Sequence, residues 1–241
     1  MDDISNQLAE RVHKKYNELA YHDSTTMKER RFLIAMAGGP GSGKSSIAAE
    51  IAKAIEQRNI KCQCVELEGF MKPQSELAKM PDPQDAKDRR GAIWTFDGHA
   101  VVDLVKRCRE PNKKIMAPAF DGEKRDPVPE GQEIHADAGV LIFEGIYVLA
   151  NEKPWDQIAG LVDQKWFVHV DPGMQRDRVA GREVEKGIEK DMESAYRRYD
   201  THDGRNNEYI LENSVGVDIV IENNDREKTV REMHGRHPSE Q

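Results

Sequence analysis

Phe32-Leu33-Ile34-Ala35-Met36-Ala37-Gly38-Gly39-Pro40-Gly41-Ser42-Gly43-Lys44-Ser45 is an apolar run that breaks into glycines and ends on Gly-Lys-Ser. Residues 38–45 fit the spacing G-x-x-x-x-G-K-[ST]. The run before them reads as a short buried strand. After them, residues 45–57 carry Ile47, Ile51 and Ile55 at helical spacing. Strand, glycine loop and helix are the context in which this motif cradles phosphate. With glycine at about 7% of residues, a chance match in a chain this long is on the order of one in a hundred, before that context is demanded.

The chemistry explains the residue types. Gly38, Gly39, Gly41 and Gly43, with Ser42, allow backbone conformations barred to bulkier residues, so successive N–H groups converge on phosphate oxygens at the positive end of the helix dipole. Lys44 is placed to bridge the β- and γ-phosphates, and the Ser45 hydroxyl to complete a Mg²⁺ shell. Ser46 is either a further phosphate contact or a first-turn helix residue.

Outward from the loop the alternation continues. Residues 60–67 read as a strand, 98–108 as a helix behind an Asp97 cap, and 114–119 and 139–143 as strands. Residues 166–170 read as a strand, Pro172 opens a helix capped by Asp171, and 217–221 reads as the last strand. This pattern implies a mainly parallel sheet covered on both faces. Ile4, Leu8, Val12, Tyr16 and Leu19 mark an amphipathic N-terminal helix, followed by a polar break over 22–31, so that 1–31 packs on the domain as helix and linker. Two polar segments, 72–91 and 121–137, lie where α/β folds build substrate pockets. The charged segment 225–241 reads as a frayed helix or tail.

Two acids sit at strand ends. Glu144 closes Val140-Leu141-Ile142-Phe143, where a phosphate-loop enzyme needs a carboxylate beside its metal; Glu68 closes the strand after the loop helix, where a base could meet an acceptor hydroxyl. Arg178, Arg182 and Lys186 make a basic stripe at i, i+4 and i+8, but Glu183, Glu185 and Glu189 interleave, so a solvated, ion-paired face is an equal reading. His169, inside an apolar strand, reads as a satisfied core group.

Composition narrows the function. The 36 Lys+Arg against 44 Asp+Glu give a net charge of -8, a surface that does not gather nucleic acid or acidic lipid nonspecifically. There is no apolar run of 18 residues and no basic-then-apolar start, so we expect no membrane contact and a cytoplasmic protein. Cys62, Cys64 and Cys108 cannot all pair and read as reduced core thiols. No Asn-Lys-x-Asp sequence marks a guanine-reading switch.

These motifs resemble the uridine kinase, phosphoribulokinase and pantothenate kinase group, above all the uridine-kinase-like P-loop kinases of unassigned substrate in fungi and bacteria. The resemblance runs from about residue 32 to 224. It rests on 37–45, Leu67-Glu68-Gly69-Phe70, Met80-Pro81-Asp82-Pro83, Arg89-Arg90-Gly91-Ala92, Trp94-Thr95-Phe96-Asp97, Pro118-Ala119-Phe120-Asp121 and Phe143-Glu144-Gly145. It implies a three-layer αβα P-loop NTPase fold with a helical lid over about 172–214, and ATP and Mg²⁺ as cofactors. By it Lys44 and Ser45 serve ATP and Mg²⁺, Glu68 is the acceptor base, Glu144 the second acid near the metal, and Arg178 and Arg182 belong to the lid. Arg90, Trp94, Asp121 and Arg125 become acceptor-pocket candidates.

The group's Asp-Gly-Phe-His is here Glu68-Gly69-Phe70-Met71, a base one methylene longer with a methionine beside it, pointing to a less polar acceptor wall. The expectation is a kinase acting on a small-molecule hydroxyl, whether nucleoside, sugar or vitamin-like alcohol. The alternative is a catalytically weakened nucleotide-binding protein with a regulatory role. Monomer and homodimer both remain open.

Overall fold

Every residue of the first strand, β1 (Phe32–Ala37), is buried in the computed structural model, which describes residues 2–26, 30–224 and 228–238. A strand buried on both faces belongs at the centre of a parallel sheet. Around it the chain forms α1 (Asp2–Thr26), α2 (Lys44–Glu56), β2 (Cys62–Glu66), α3 (Gln74–Leu77), α4 (Pro83–Asp88), α5 (Gly98–Cys108), β3 (Ile115–Asp121), β4 (Asp126–Ile134) and β5 (Val140–Gly145). Then follow β6 (Gln164–His169), α6 (Pro172–Glu185), α7 (Met192–Thr201), α8 (Asp203–Asn213), β7 (Val217–Asn223) and β8 (Lys228–Arg236). The six-stranded sheet runs β2-β5-β1-β6-β7-β8, parallel except for β8.

Alternation along β1 builds two cores. Phe32, Ile34 and Met36 join Val140, Ile142 and Trp166 under α1 and α2, with Leu8, Val12, Ile47 and Ile51. Leu33 and Ala35 join Leu141, Phe143 and Phe167 against Val101, Leu104 and Val105 of α5 and Ile210 of α8. The result is the expected three-layer αβα arrangement. The caps follow the sequence signals: Asp97 Oδ1 accepts from Ala100 N at 2.9 Å, and Asp171 Oδ1 from Gly173 N at 3.0 Å behind Pro172. Among the described residues no helix is long and apolar enough to cross a membrane.

Four expectations are corrected. The strand expected at 114–119 exists as β3 but stands outside the main sheet, paired antiparallel with β4 in a two-stranded hairpin. β4 lay hidden in the polar segment 121–137; Pro127 and Pro129 cannot donate to a ladder and are tolerated because a two-stranded hairpin is all edge. Residues 228–236 form β8, paired antiparallel with β7, rather than a frayed helix or tail. Arg31, read as the end of a polar linker, is fully buried. Its guanidinium donates to the carbonyls of Ala138 (3.0 Å), Cys108 (3.4 Å), Lys113 (3.1 Å), His135 (2.8 Å) and Ala136 (3.1 Å), tying the entry of β1 to the end of α5 and the approach to β5.

Candidate active site

β1 delivers the chain to the loop at the C-terminal edge of the sheet, and α2 begins immediately behind it. Gly41 (φ 81°) and Gly43 (φ 79°) lie in the left-handed region, so both positions require glycine. The turn closes through Ser42 N donating to Gly39 O at 3.1 Å, and Gly43 O accepts from Ile47 N at 3.1 Å as the helix starts. Ser45 and Ser46 are exposed in the first turn of α2. The Lys44 side chain makes no hydrogen bond or ion pair among the described residues.

The parallel register sets Glu144 of β5 opposite Met36 of β1 and Glu66 of β2. Ser45 Oγ donates to Glu144 Oε2 at 2.8 Å, joining the two residues expected near the metal although they are far apart in the chain. Glu144 is buried, and loss of water raises its carboxyl above the ordinary range; the Lys44 charge and the Ser45 bond oppose this, while Glu66 and Glu68 add to it. A carboxylate beside a hydroxyl is an all-oxygen donor pair, which fits a hard divalent cation. Among the described residues no three His, Cys, Asp or Glu converge on one point.

Glu68 opens a short turn (Glu68–Phe70) after β2; its carbonyl accepts from Met71 N at 3.0 Å, and its exposed carboxylate makes no hydrogen bond or ion pair among the described residues. The β3–β4 hairpin presses against this turn: a Cβ on Gly69 would lie 2.3 Å from Pro118 O. Met71 is buried, bridged to Phe96, with Lys72 N donating to Thr95 O at 2.8 Å. Arg90 reaches across, donating to Asp126 Oδ1 at 2.6 Å, to Lys72 O at 3.2 Å and to Arg125 O, with its guanidinium 5.9 Å from the centre of the Phe120 ring. The segment after β2 and the hairpin therefore form one wall carrying Met71, Arg90 and Arg125. Trp94 stands 41% exposed on a short turn. Asp121 is occupied by its own turn, where Oδ1 accepts from Glu123 N and Lys124 N, each at 3.0 Å.

Arg178 and Arg182 both lie on α6, but they do different things. Arg178 grips scaffold, donating to Asn223 O at 3.0 Å and reaching Gly41 O at 3.5 Å. Arg182 is exposed and lends positive charge to Asp203, whose carboxyl burial pushes up. The interleaved Glu183 and Glu189 face Arg198 of α7, so part of the solvated-face reading is also realised. Three further residues touch or crowd the loop that no motif singled out: Gln175, Asn207 and Asn223. They are ordinary polar residues of α6, α8 and β7, and only the sheet order brings them there. His169 is satisfied as expected, its Nδ1 2.6 Å from Glu222 Oε2.

Residues 33–230 match the model of the phosphoribulokinase / uridine kinase family. The chain is 36% identical over 211 residues to a Schizosaccharomyces pombe protein that carries the provisional name of uridine kinase, covering 86% of this chain and 90% of that protein. It is 39% identical over 165 residues to an ATP-dependent kinase-like protein of Aspergillus versicolor, covering 67% of this chain and 96% of that one. D-glycerate 3-kinase from Cryptococcus neoformans superposes with a TM-score of 0.66 at 15% identity, over 95% of this chain and 99% of that chain, a likeness of fold alone.

Proposed function

Because this chain belongs to the phosphoribulokinase / uridine kinase family, we propose that it is an ATP-dependent small-molecule kinase that moves the γ-phosphoryl group of Mg-ATP to a hydroxyl of a small metabolite, in the class of nucleosides, sugars or vitamin-like alcohols. The observation that carries this reading is the Ser45–Glu144 contact of 2.8 Å at the mouth of a glycine loop, beside which the Lys44 and Glu68 side chains make no hydrogen bond or ion pair among the described residues. A scaffold loop would have its charges paired off. Here the loop lysine and the strand-end acid stand ready for a ligand.

Phosphoryl transfer asks little covalent help of the protein, and catalysis is mainly positioning and charge stabilisation. When bound, Mg²⁺ supplies neutralisation of the phosphate charge, with Ser45 and Glu144 as the residues to hold it. Lys44 places a positive point charge on the transferring group. Glu68 accepts the hydroxyl proton and orients the attacking oxygen. Met71 gives the acceptor cleft an apolar side, and Arg90, Arg125, Trp94 and Asp121 border it. Arg178 holds the covering helix against the loop, and Arg182 carries an exposed positive charge on that helix.

An ADP-release screen with Mg-ATP against nucleosides, sugars, polyols and pantothenate-like alcohols tests the proposal, with Lys44→Ala as the blank. Acceptor-dependent release is expected in wild type and not in the variant, which keeps its fold. Equal release in both proteins overturns the assignment of the loop.

A further inference from the structure

Gln175 and Asn223 are both 6% exposed, and both end on main-chain carbonyls of the phosphate loop. Gln175 Nε2 donates to Pro40 O at 2.9 Å, and Asn223 Nδ2 donates to Ser42 O at 2.7 Å. In a planar trans peptide the carbonyl of one residue and the N–H of the next point in opposite directions. Holding Pro40 O therefore aims Gly41 N–H away from Gln175, and holding Ser42 O aims Gly43 N–H away from Asn223. Neither N–H has an acceptor among the described residues, whereas Ser42 N–H is used internally on Gly39 O. Both peptides whose outer oxygens are gripped thus keep an inner N–H without an acceptor among the described residues.

The grip is itself fixed. Gln175 projects from α6, and the main-chain oxygen of Asn223 accepts from Arg178 Nη2 at 3.0 Å, so α6 and the end of β7 hold each other as well as the loop. The loop lies close against both residues: a Cβ on Gly41 would lie 2.9 Å from the main-chain O of Gln175 and 3.3 Å from its Cγ, and one on Gly43 would lie 2.5 Å from Asn223 Nδ2.

We propose that Gln175 and Asn223 are positioning residues that orient the Gly41 and Gly43 N–H groups toward the phosphates, so that the shape of the phosphate nest depends on where α6 sits. This rests on the kinase reading and deepens it. Donors already aimed at their target need no reorganisation when the ligand arrives, which is the condition for strong electrostatic binding.

Calorimetric titration of Mg-ATP and of inorganic tripolyphosphate tests it, on wild type, Gln175→Met and Asn223→Ala. Methionine keeps the volume and helix preference of Gln175 while removing its donor, so this variant remains folded if the asparagine variant does not. Loss of one net hydrogen bond, about 1 kcal/mol, corresponds to roughly a fivefold weakening. We expect both ligands to weaken by the same factor of about five to ten in each variant, since the defect lies at the phosphates. A purely structural role would lower the melting temperature and leave the affinity of the folded protein unchanged. Wild type binding both ligands while Gln175→Met binds them equally well overturns the inference alone. Wild type binding neither overturns the kinase reading and the inference with it.

Discussion

Gly39→Ala is the sharpest steric test of the loop. A Cβ at that position would fall 1.6 Å from Asn207 Oδ1 and 2.7 Å from Gln175 Nε2. Ordinary contact needs about 3.5 Å, so the asparagine or the loop must give way by about 1.5–2 Å. Asn207 is buried and its Nδ2 donates to Tyr199 OH at 2.8 Å, so moving it breaks that bond and strands polar groups. That route costs about 1–3 kcal/mol, or about 2–12 °C in melting temperature for a chain of this size. If the loop moves instead, a misplacement of about 1 Å lowers turnover on the order of 100-fold. Gly122→Ala is the control, because nothing lies within 4 Å of a Cβ there. The assay is a thermal melt with a Mg-ATP titration and turnover on the same preparations. A Gly39→Ala protein matching Gly122→Ala in melting temperature, ATP affinity and turnover would refute the packing of α8 on the loop.

Three further outcomes follow from named contacts. Glu68→Gln is expected to lower turnover by about 100-fold or more, the range of general-base losses, with ATP affinity unchanged; equal turnover removes Glu68 from the chemistry. Glu144 has a folded-state pKa raised above 4.5 by burial, so its contribution to stability is fully present below that value and is lost as pH rises through the folded pKa. Against Glu144→Gln, ligand-free wild type should therefore lose relative stability as pH climbs from 4.5 toward 7; a melting-temperature difference that stays flat with pH rules this out. Arg31→Met removes a buried charge and five carbonyl contacts, which should cost about 3–5 kcal/mol and lower the melting temperature by about 6–20 °C; a drop under about 3 °C means the carbonyls find other donors.

The elements legible in the sequence are those whose chemistry is local. The phosphate loop carries its whole requirement in consecutive residues, because glycine conformation and the start of a helix suffice to place the N–H groups. Glu144 was visible because β5 is apolar up to its last turn of chain. β8 was not, since an edge strand with so few apolar residues reads as a charged tail: among its described side chains Val230 packs on the core under α1 and α2 and Met233 on the core of the opposite face. β4 was masked by its prolines. Arg31 was hidden for a different reason, in that a charged residue after a polar stretch reads as linker unless its five carbonyl partners, all distant in the chain, are known. Gln175, Asn207 and Asn223 lie beyond any local pattern, being 135, 168 and 181 residues from the loop atoms they meet in the order Pro40, Gly39 and Ser42.

The acceptor side divides by the same logic into residues already used by the architecture and residues still open to a ligand. Arg90, a candidate for recognition, has its guanidinium committed to Asp126 and to the carbonyls of Lys72 and Arg125, and Asp121 is committed to the hairpin turn. What Arg90 holds is itself informative. Arg125 takes a left-handed backbone (φ 53°), a conformation costing an ordinary residue about 1 kcal/mol or more, and its carbonyl is clamped by Arg90 and by Gln74 Nε2 at 3.2 Å. Its own side chain is exposed and makes no hydrogen bond or ion pair among the described residues. A strained position secured from behind, with its charge left free, is the arrangement expected of a residue that meets a ligand. On the proposed kinase reading, therefore, Arg90 builds the wall on this side of the cleft, and Glu68, Trp94 and Arg125 are the groups we propose to meet the acceptor.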